Sequence, residues 1–474
     1  MTRSRTPLLA LAVSLLLTAC ATPDPTRPPL PEAPPGWRAA PLPHAGSPDA
    51  LANWWSRFDD PLLQALLREA QAQSPQLAAA AARLRQARAD GAQASALLAP
   101  QLLVQAQANR GANTASAFQV GSMAQGQLAL QWELDLFGAQ RAQARAADAQ
   151  VQAAEAQWHD ARVSLAADVA VAYLQLRHAQ AQEEIAVLDA RLAAQQRAWG
   201  EQQHRAGLAS GSDVALLATL QAAAEAALAA QRAQAQVALQ QLATLTGQDA
   251  TPLAERLAAP AVENRLPQRR VPAAPAFQAQ TLPAALLAQR PDLAALHRQW
   301  LATVQAEAAV RAQDWPQLSL GALAGRARLQ AGGSSSSGSI WSLAPSLSLP
   351  LFDGGQRAAA KQGAAARREE MAALLQQRWR EAVGEVEDAM QRLHAAAERQ
   401  QQAEASIDHW MRLVNSAQLL SQAGLQSGPQ RAQTQRQALA GYSAAQAVRA
   451  EHALAWVQLY RTLGGGWTEA DATP

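Results

Sequence analysis

Strict alternation of apolar and polar residues occurs at four places in the chain, in two pairs. From Gln127 to Leu136 the residues Leu128, Leu130, Trp132, Leu134 and Leu136 alternate with Gln127, Ala129, Gln131, Glu133 and Asp135. Period two over about ten residues is the length of a membrane-spanning β-strand. A later segment repeats it, with Leu343, Pro345, Leu347, Leu349 and Leu351 on one face and Ala344, Ser346 and Ser348 on the other. The strands preceding these agree. Leu102, Val104, Ala106 and Ala108 oppose Leu103, Gln105, Gln107 and Asn109, while Leu318, Leu320, Ala322 and Ala324 oppose Gln317, Ser319 and Gly321. The spacing predicts strands over about 101–110, 123–137, 317–330 and 340–352. Half-buried strands of a soluble sheet alternate in the same way, and pattern alone does not separate the two readings. Position does. The strands are joined by polar, Gly/Ser-rich hairpins, Gly111 to Ser122 and Ala331 to Ser339, and no adjacent segment resembles a covering helix. The reading is an apolar outer wall and a mostly polar inner one, with Gln131, Glu133 and Asp135 lining a lumen.

Elsewhere the period is helical. Pro61 to Gln73 predicts a helix just after Trp54-Trp55, and nothing breaks a helix from Arg141 to Trp199. At 1.5 Å per residue that run is roughly 90 Å long. Gln356 to about Leu420 behaves likewise, with Trp379, Val383, Val386, Met390 and Leu393 stepping by four and three. Val151, Trp158 and Leu165 step by seven, which is coiled-coil spacing. Each long helix reaches a glycine suited to a C-cap, Gly207 or Gly424, and restarts at Ser212-Asp213 or Pro429. Partner helices then run from Asp213 to Thr246 and from Pro429 to Thr462.

These elements belong to an internal duplication. Ser74-Pro75-Gln76-Leu77-Ala78 matches Arg290-Pro291-Asp292-Leu293-Ala294, Pro100-Gln101-Leu102 matches Pro316-Gln317-Leu318, and Gln140-Arg141 matches Gln356-Arg357, each offset by 216 (291 − 75, 316 − 100). Ala206-Gly207-Leu208 matches Ala423-Gly424-Leu425 at 217. One unit of helix, strand, loop, strand, long helix, turn and helix therefore occurs twice. Four strands do not cross a membrane alone, because each unpaired edge group in hydrocarbon costs several kcal/mol. Closure needs other subunits. Two copies give eight strands, a width side chains fill; three give twelve and leave a passage.

The N-terminus supplies a location. Arg3, Arg5 and the apolar stretch from Leu8 to Leu17 make a secretory signal, too short to span a bilayer. It ends in Leu17-Thr18-Ala19-Cys20, a lipoprotein processing site. Acyl chains on Cys20, a diacylglycerol and an N-acyl group, fix such a terminus to a membrane. Cys20 is the only cysteine, so disulfides and cysteine metal sites are excluded. Ala21 rather than aspartate follows it, which by analogy with lipoprotein sorting places the protein on the periplasmic face of the outer membrane. Ten of the thirty residues from Ala21 to Ala50 are proline, a leash reaching roughly 90 Å in polyproline geometry.

Composition removes other classes. A formal charge of +2 with 16% charged residues and no basic cluster leaves no footprint for nucleic acid. After the signal no apolar run approaches spanning length, so a helical membrane protein is not expected. The eight histidines are scattered with no paired-ligand spacing, so neither a metal centre nor a cofactor is expected. Enzyme chemistry has no support either, Glu133 and Asp135 having no partnering site.

Four motifs in order carry a family resemblance: Ala288-Gln289-Arg290-Pro291-Asp292-Leu293, Pro350-Leu351-Phe352-Asp353-Gly354-Gly355, the turn from Ala206 to Val214, and Leu245-Thr246-Gly247. Across about Trp54 to Leu463 the chain resembles the TolC-like outer-membrane factors, in particular the lipoprotein branch serving resistance-nodulation-division (RND) efflux pumps. The resemblance implies an α+β membrane fold: a homotrimer with a 12-stranded transmembrane β-barrel, four strands per subunit, continued by a 12-helix periplasmic coiled-coil barrel. It divides the chain into a signal peptide, 1–19; lipidated N-terminus and leash, 20–50; a first repeat, 51–247, with helical hairpin 138–246; an equatorial linker, 248–283; a second repeat, 284–463, with hairpin 354–462; and a tail, 464–474. The implied function is passive export of drugs, solvents or metal ions delivered by an inner-membrane RND pump and a periplasmic adaptor. A type I protein-secretion channel is the alternative within that class, and a pore-free structural or adaptor lipoprotein the alternative outside it. Adaptor docking is expected at Gly207, Leu208, Ser210, Gly424, Leu425 and Ser427. The periplasmic gate is expected at Asp213, Gln430, Arg431 and Gln433, the glutamines standing where the family often has acids. For Asp213 an equally simple role is a helix-start carboxylate favoured by the dipole.

Overall fold

The structure, a computed structural model, describes residues 53–58, 60–112, 120–258, 270–275, 289–331 and 333–467. Cys20, the leash and most of the 248–283 linker lie outside the described residues. The chain divides into two compact units, one of Ala82–Glu155 with Ala295–Arg378, the other chiefly of Ala156–Ala294 with Trp379–Pro474.

The first unit is built on a four-stranded antiparallel sheet, β1 (Gln101–Ala112), β2 (Val120–Leu134), β3 (Gln317–Ala331) and β4 (Ser334–Ser348), hydrogen-bonded in that order. The β2–β3 ladder, Gly121↔Ala331 to Leu134↔Leu318, fuses the hairpin of one repeat to that of the other. Register puts Leu102, Leu130, Ala322 and Leu343 in one row, and Val104, Leu128, Ala324 and Trp341 in the next. This face is apolar and open: Val104 and Trp341 are each 80% exposed. Strand ends differ from the sequence reading. β2 spans 120–134 rather than 123–137 and β4 spans 334–348 rather than 340–352. Serines 334–337 and 339, read as loop by composition, take part in the β3–β4 ladder because the backbone pairing with β3 continues past the last apolar row.

Helices α1 (Pro61–Gln73), α2 (Pro75–Ala96), α3 (Ala139–Arg205), α4 (Gly211–Thr246), α5 (Ala250–Leu257), α6 (Pro291–Ala312), α7 (Gln356–Gln422) and α8 (Gly428–Thr462), with a short 3-10 helix at Trp54–Arg57, complete the described elements. α3 and α7 are both 67 residues long, and their starts differ by 217 (356 − 139). Alanine supplies much of their helix propensity. Within the segment read as a linker, α5 is a helix with Leu253 and Leu257 buried, an amphipathic pattern too short to stand out among the prolines. A second expectation also fails. α4 contains a window of mean hydropathy 1.4, apolar enough by length and composition to cross a membrane. Its apolarity is mostly alanine, and Arg232 pairs from its flank with Glu183 of α3 at 3.5 Å. A face of small residues suits close helix packing.

The second unit is locked by aromatic contacts and one buried cation. Trp54 stacks on Tyr460 of α8 at 5.0 Å and donates from Nε1 to the Pro275 carbonyl at 2.7 Å. Asp60 caps α1, accepting from the Leu62 and Leu63 amides, and also accepts the Tyr173 hydroxyl of α3. Arg290, its side chain 5% exposed, pairs with Asp292 at 2.9 Å and Glu385 of α7 at 2.8 Å, and donates to the Thr462 carbonyl. Burial lowers the Arg290 pKa and the two carboxylates raise it further, so the net shift is upward. Against this cluster sits Gly464, at φ 81°, where a Cβ would lie 2.0 Å from the Gln289 carbonyl oxygen. No side chain fits there.

Removing one partner of a buried ion pair costs about 3–5 kcal/mol, and the partial exposure of Glu385 favours the lower end. Arg290→Ala is therefore expected to lower the thermal unfolding midpoint of the detergent-solubilised protein by many degrees, with Gly464→Val acting alike. A midpoint unchanged in both variants would show that this cluster does not hold the unit together.

Candidate channel wall and helical tips

The opposite face of the sheet carries, by period two, glutamines, serines and one acid among small and apolar residues such as Leu103, Leu323 and Ile340. Gln105 and Gln127 face each other across β1 and β2 with their amides bonded at 2.9 Å, and Gln107 and Gln125 do so at 3.4 Å. Gln131 and Glu133 lie lower on this face, lining a cavity of about 460 Å³ with Gln140, Ser319 and Ser346. Glu133 accepts from Gln140 Nε2 at 3.2 Å.

Asp135, expected beside them in the lumen wall, is placed otherwise. β2 ends at Leu134, and the Asp135 carboxylate accepts from the backbone N–H of Gln140 and Arg141 at the start of α3 and from Arg141 Nε at 3.1 Å. It caps a helix whose first amides have no intrahelical partner. Asp353 does the same for α7, accepting from the Gly355 and Arg357 amides and from Arg357 Nε. The two aspartates are 218 apart rather than 216, so one task is done from slightly different places in the two repeats.

The tips of the helical hairpins, both in the second unit, are near copies. α3 ends in a left-handed Gly207 (φ 73°), with Leu208 N–H donating to the Gln203 carbonyl and Gly207 N–H to that of His204. α7 ends in Gly424 (φ 75°), with Leu425 bonded to Leu420 and Gly424 to Ser421. Both are Schellman caps, which bring the chain round in the fewest residues. Each following helix opens with a capping box, Ser210 with Asp213 and Ser427 with Gln430. Leu208 and Leu425 are left 80% and 75% exposed.

At the expected gate residues the geometry is partly that of helix capping. Both described hydrogen bonds of the Asp213 carboxylate come from Ser210, its amide and its hydroxyl. That hydroxyl is the main cause holding the Asp213 pKa below the usual carboxylate range. Gln430 holds the equivalent place, accepting from the Ser427 amide at 3.1 Å. Both are capping residues because position N3 of a helix faces back to the N-cap. Gln433 does reach another hairpin, accepting from Gln196 Nε2 of α3 at 3.3 Å. Arg431 keeps its Nε buried with no hydrogen-bond partner among the described residues.

One link between the hairpins was missed by sequence reasoning. Arg436 of α8 forks onto Asp189 of α3, Nε to Oδ1 at 2.7 Å and Nη2 to Oδ2 at 3.1 Å, and also donates to Gln196 Oε1. Ser443 and Gln182 exchange two further bonds below it. These polar groups border an apolar cluster of Ile185, Leu188, Leu439 and Tyr442. A signal was available: Asp189 stands four residues after Ile185 and Arg436 three before Leu439, charges at core spacing. The duplication-equivalent positions at 217 are Ser406 and Thr219, so this contact exists once per chain.

Breaking the fork frees the two hairpins to part. Arg436→Ala is expected to raise single-channel conductance in planar bilayers, whereas Asp213→Ala leaves it unchanged and only loosens a helix cap. The reverse order of effects would return the gate to Asp213.

The profile of the OEP family, outer membrane efflux protein, matches residues 66–248 and 282–465, recovering the duplication at offsets of 216 and 217 (282 − 66, 465 − 248). Among relatives, the pyoverdine export outer membrane protein OpmQ of Pseudomonas aeruginosa is 30% identical over 480 residues, 97% of each chain. The toluene efflux pump outer membrane protein TtgI of Pseudomonas putida is 29% identical over 74% of this chain and 72% of its own. Of solved structures, the outer-membrane channel OprN superposes with a TM-score of 0.76 at 27% identity, covering 94% of this chain and 98% of that one. The open-state MtrE channel of Neisseria gonorrhoeae gives 0.75 at 23% identity over 93% and 98%, a likeness of fold. Both repeats, the four-stranded sheet and the paired long helices are thus those of an outer-membrane efflux channel with a periplasmic helical part, and the chain belongs to the outer membrane efflux protein family.

Proposed function

We propose that three copies of this chain form the outer-membrane exit duct of a tripartite efflux system, conducting small molecules passively after an inner-membrane RND pump and a periplasmic adaptor deliver them. The observation that carries this reading is the sheet. Its β1 and β4 edges are unpaired among the described residues, while the part of one face nearer the helices is apolar and exposed. Backbone groups at those edges find partners in hydrocarbon only by pairing β4 of one subunit with β1 of the next. Twelve strands leave a passage that eight do not.

The helices support the same assembly. Leu216 and Val237 of α4 and Leu413 and Leu419 of α7 are exposed apolar side chains. A neighbouring subunit covers them, and its acceptor meets Arg431 Nε. Gln131 and Glu133 belong to the hydrated inner wall. Leu208 and Leu425, with Gly207, Gly424, Ser210 and Ser427 holding their turns, form the surface the adaptor grips. The acyl chains on Cys20 hold each subunit to the lipid. Cargo is of the class named in the relatives, a siderophore or an organic solvent, with drugs and metal ions as further candidates.

The test is native mass spectrometry of the full-length protein extracted in mild detergent from outer membranes, with conductance in planar bilayers. A particle of about three chains, each with an acylated Cys20, and discrete channel openings are expected. A monomer with no conductance under the same extraction would replace the duct with a pore-free tether.

A further inference from the structure

Toward the hairpin end, the lipid-facing side of the sheet changes character within one row. On β3 the residues sharing that face run Leu318, Leu320, Ala322 and Ala324, then Arg326 and Arg328. On β1 they run Leu102, Val104, Ala106 and Ala108, then Arg110. Register sets Arg326 between Gly126 and Ser339, Arg328 between Ala124 and Ser337, and Arg110 opposite Ser122. The neighbours are small or hydroxylic, and all three arginines are exposed. From strand spacing, Arg326 and Arg328 stand about 7 Å apart and Arg110 about 12 Å from Arg328. Arg328 also donates to Ser335 Oγ at 3.2 Å, which steadies its fork.

Nothing in the hairpins neutralises these charges. From Leu97 to Trp132 and from Trp315 to Phe352 the sequence has no Asp or Glu, and its only basic residues are these three arginines. A second copy of the chain brings the same acid-free hairpins. The cations must therefore find anions outside the protein. Their level decides which. The four junctions with helices, at Gln101, Leu134, Gln317 and Ser348, all lie at one end of the sheet, and the arginines lie toward the other. With the helical part in the periplasm, that other end is the outer leaflet. A charged residue on a barrel's lipid face is costly at the midplane and nearly free at the interface, where headgroup phosphates lie.

We propose that Arg110, Arg326 and Arg328 bind the phosphates of the phosphorylated glycolipid of the outer leaflet, lipopolysaccharide, and so seat the barrel wall against it. Guanidinium is the side chain whose planar fork matches a phosphate bidentately, and no lysine occurs in either hairpin. The inference rests on the outer-membrane placement and not on the identity of the exported cargo.

The test uses the full-length protein purified from outer membranes, with bisphosphorylated lipid A and its dephosphorylated form as probes, read by native mass spectrometry. Each arginine at a membrane surface is worth about fivefold in binding, so Arg326→Gln with Arg328→Gln is expected to weaken bisphosphorylated lipid A by about 25-fold. Arg326→Lys with Arg328→Lys, which keeps the charges and loses the forks, should fall between the wild type and the glutamine variant. Dephosphorylated lipid A should not distinguish the wild type from the glutamine variant. Oligomer mass and conductance should be unchanged in all. Arg110→Gln alone, at the end of β1, is a milder second variant with an expected loss of about fivefold. Equal retention of bisphosphorylated lipid A by the wild type and both glutamine variants would overturn the proposal. So would displacement of lipid A by millimolar inorganic phosphate alone, which would mark a free-anion site.

Discussion

Backbone hydrogen bonding at the edges of a four-stranded sheet is the constraint on which the rest of this structure depends. Each strand exposes apolar side chains on one face, which suits hydrocarbon, yet hydrocarbon tolerates no unpaired N–H or C=O. The ladder β1-β2-β3-β4 satisfies the interior, including the β2–β3 seam where the two repeats join. It leaves β1 and β4 open. A sheet with this face and these edges is complete only when copies of the chain close it, so assembly follows from the same hydrogen-bond requirement that makes the strands pair. The duplication serves that end by providing two equivalent hairpins that meet in one register.

The transition from strand to helix raises the same requirement in another form. The first amides of α3 and α7 lack intrahelical partners, and an aspartate followed by arginine supplies them at both junctions, Asp135 with Arg141 and Asp353 with Arg357. Gly207 and Gly424 then turn the chain within a few residues, and Ser210 and Ser427 start the return helices. The residues that carry the family resemblance are thus mostly caps, turns and one buried ion pair, Arg290 with Asp292 and Glu385. They fix a scaffold and encode no cargo. The relatives of this chain include one named for pyoverdine export and one named for toluene efflux.

Departures from the internal symmetry fall where the second unit has to do something specific. The tips match closely, but the Asp189–Arg436 fork has only Ser406 and Thr219 at the corresponding positions. The ion pair between α3 and α8 is therefore not repeated at the corresponding positions of the other repeat. The caps keep the symmetry only in part, the tip glycines matching while α4 ends in the left-handed Gly247 and α8 in Leu463 at φ −86°.

The sequence by itself determined the two periods, and with them the strands, the long helices, the duplication and the glycine turns, because each depends on local side-chain alternation or backbone freedom. It also placed Gln131 and Glu133 on the polar face, since parity along a strand is a local property. It carried the strand through Asp135, because whether an acid lines a wall or caps a helix depends on where the strand ends, and that is set by pairing with a distant partner; for Asp213 it offered the helix-start role beside the gate, and the capping box supplies the former. α5 and the start of β4 escaped notice for a related reason: a short amphipathic turn among prolines, and a serine run that is strand only because β3 lies beside it. Only the tertiary structure brought Asp189 to Arg436 across 247 residues and set Arg326 between Gly126 of β2 and Ser339 of β4. Such contacts arise from register and helix packing, which sum interactions over the whole chain and leave no mark on any single stretch of it.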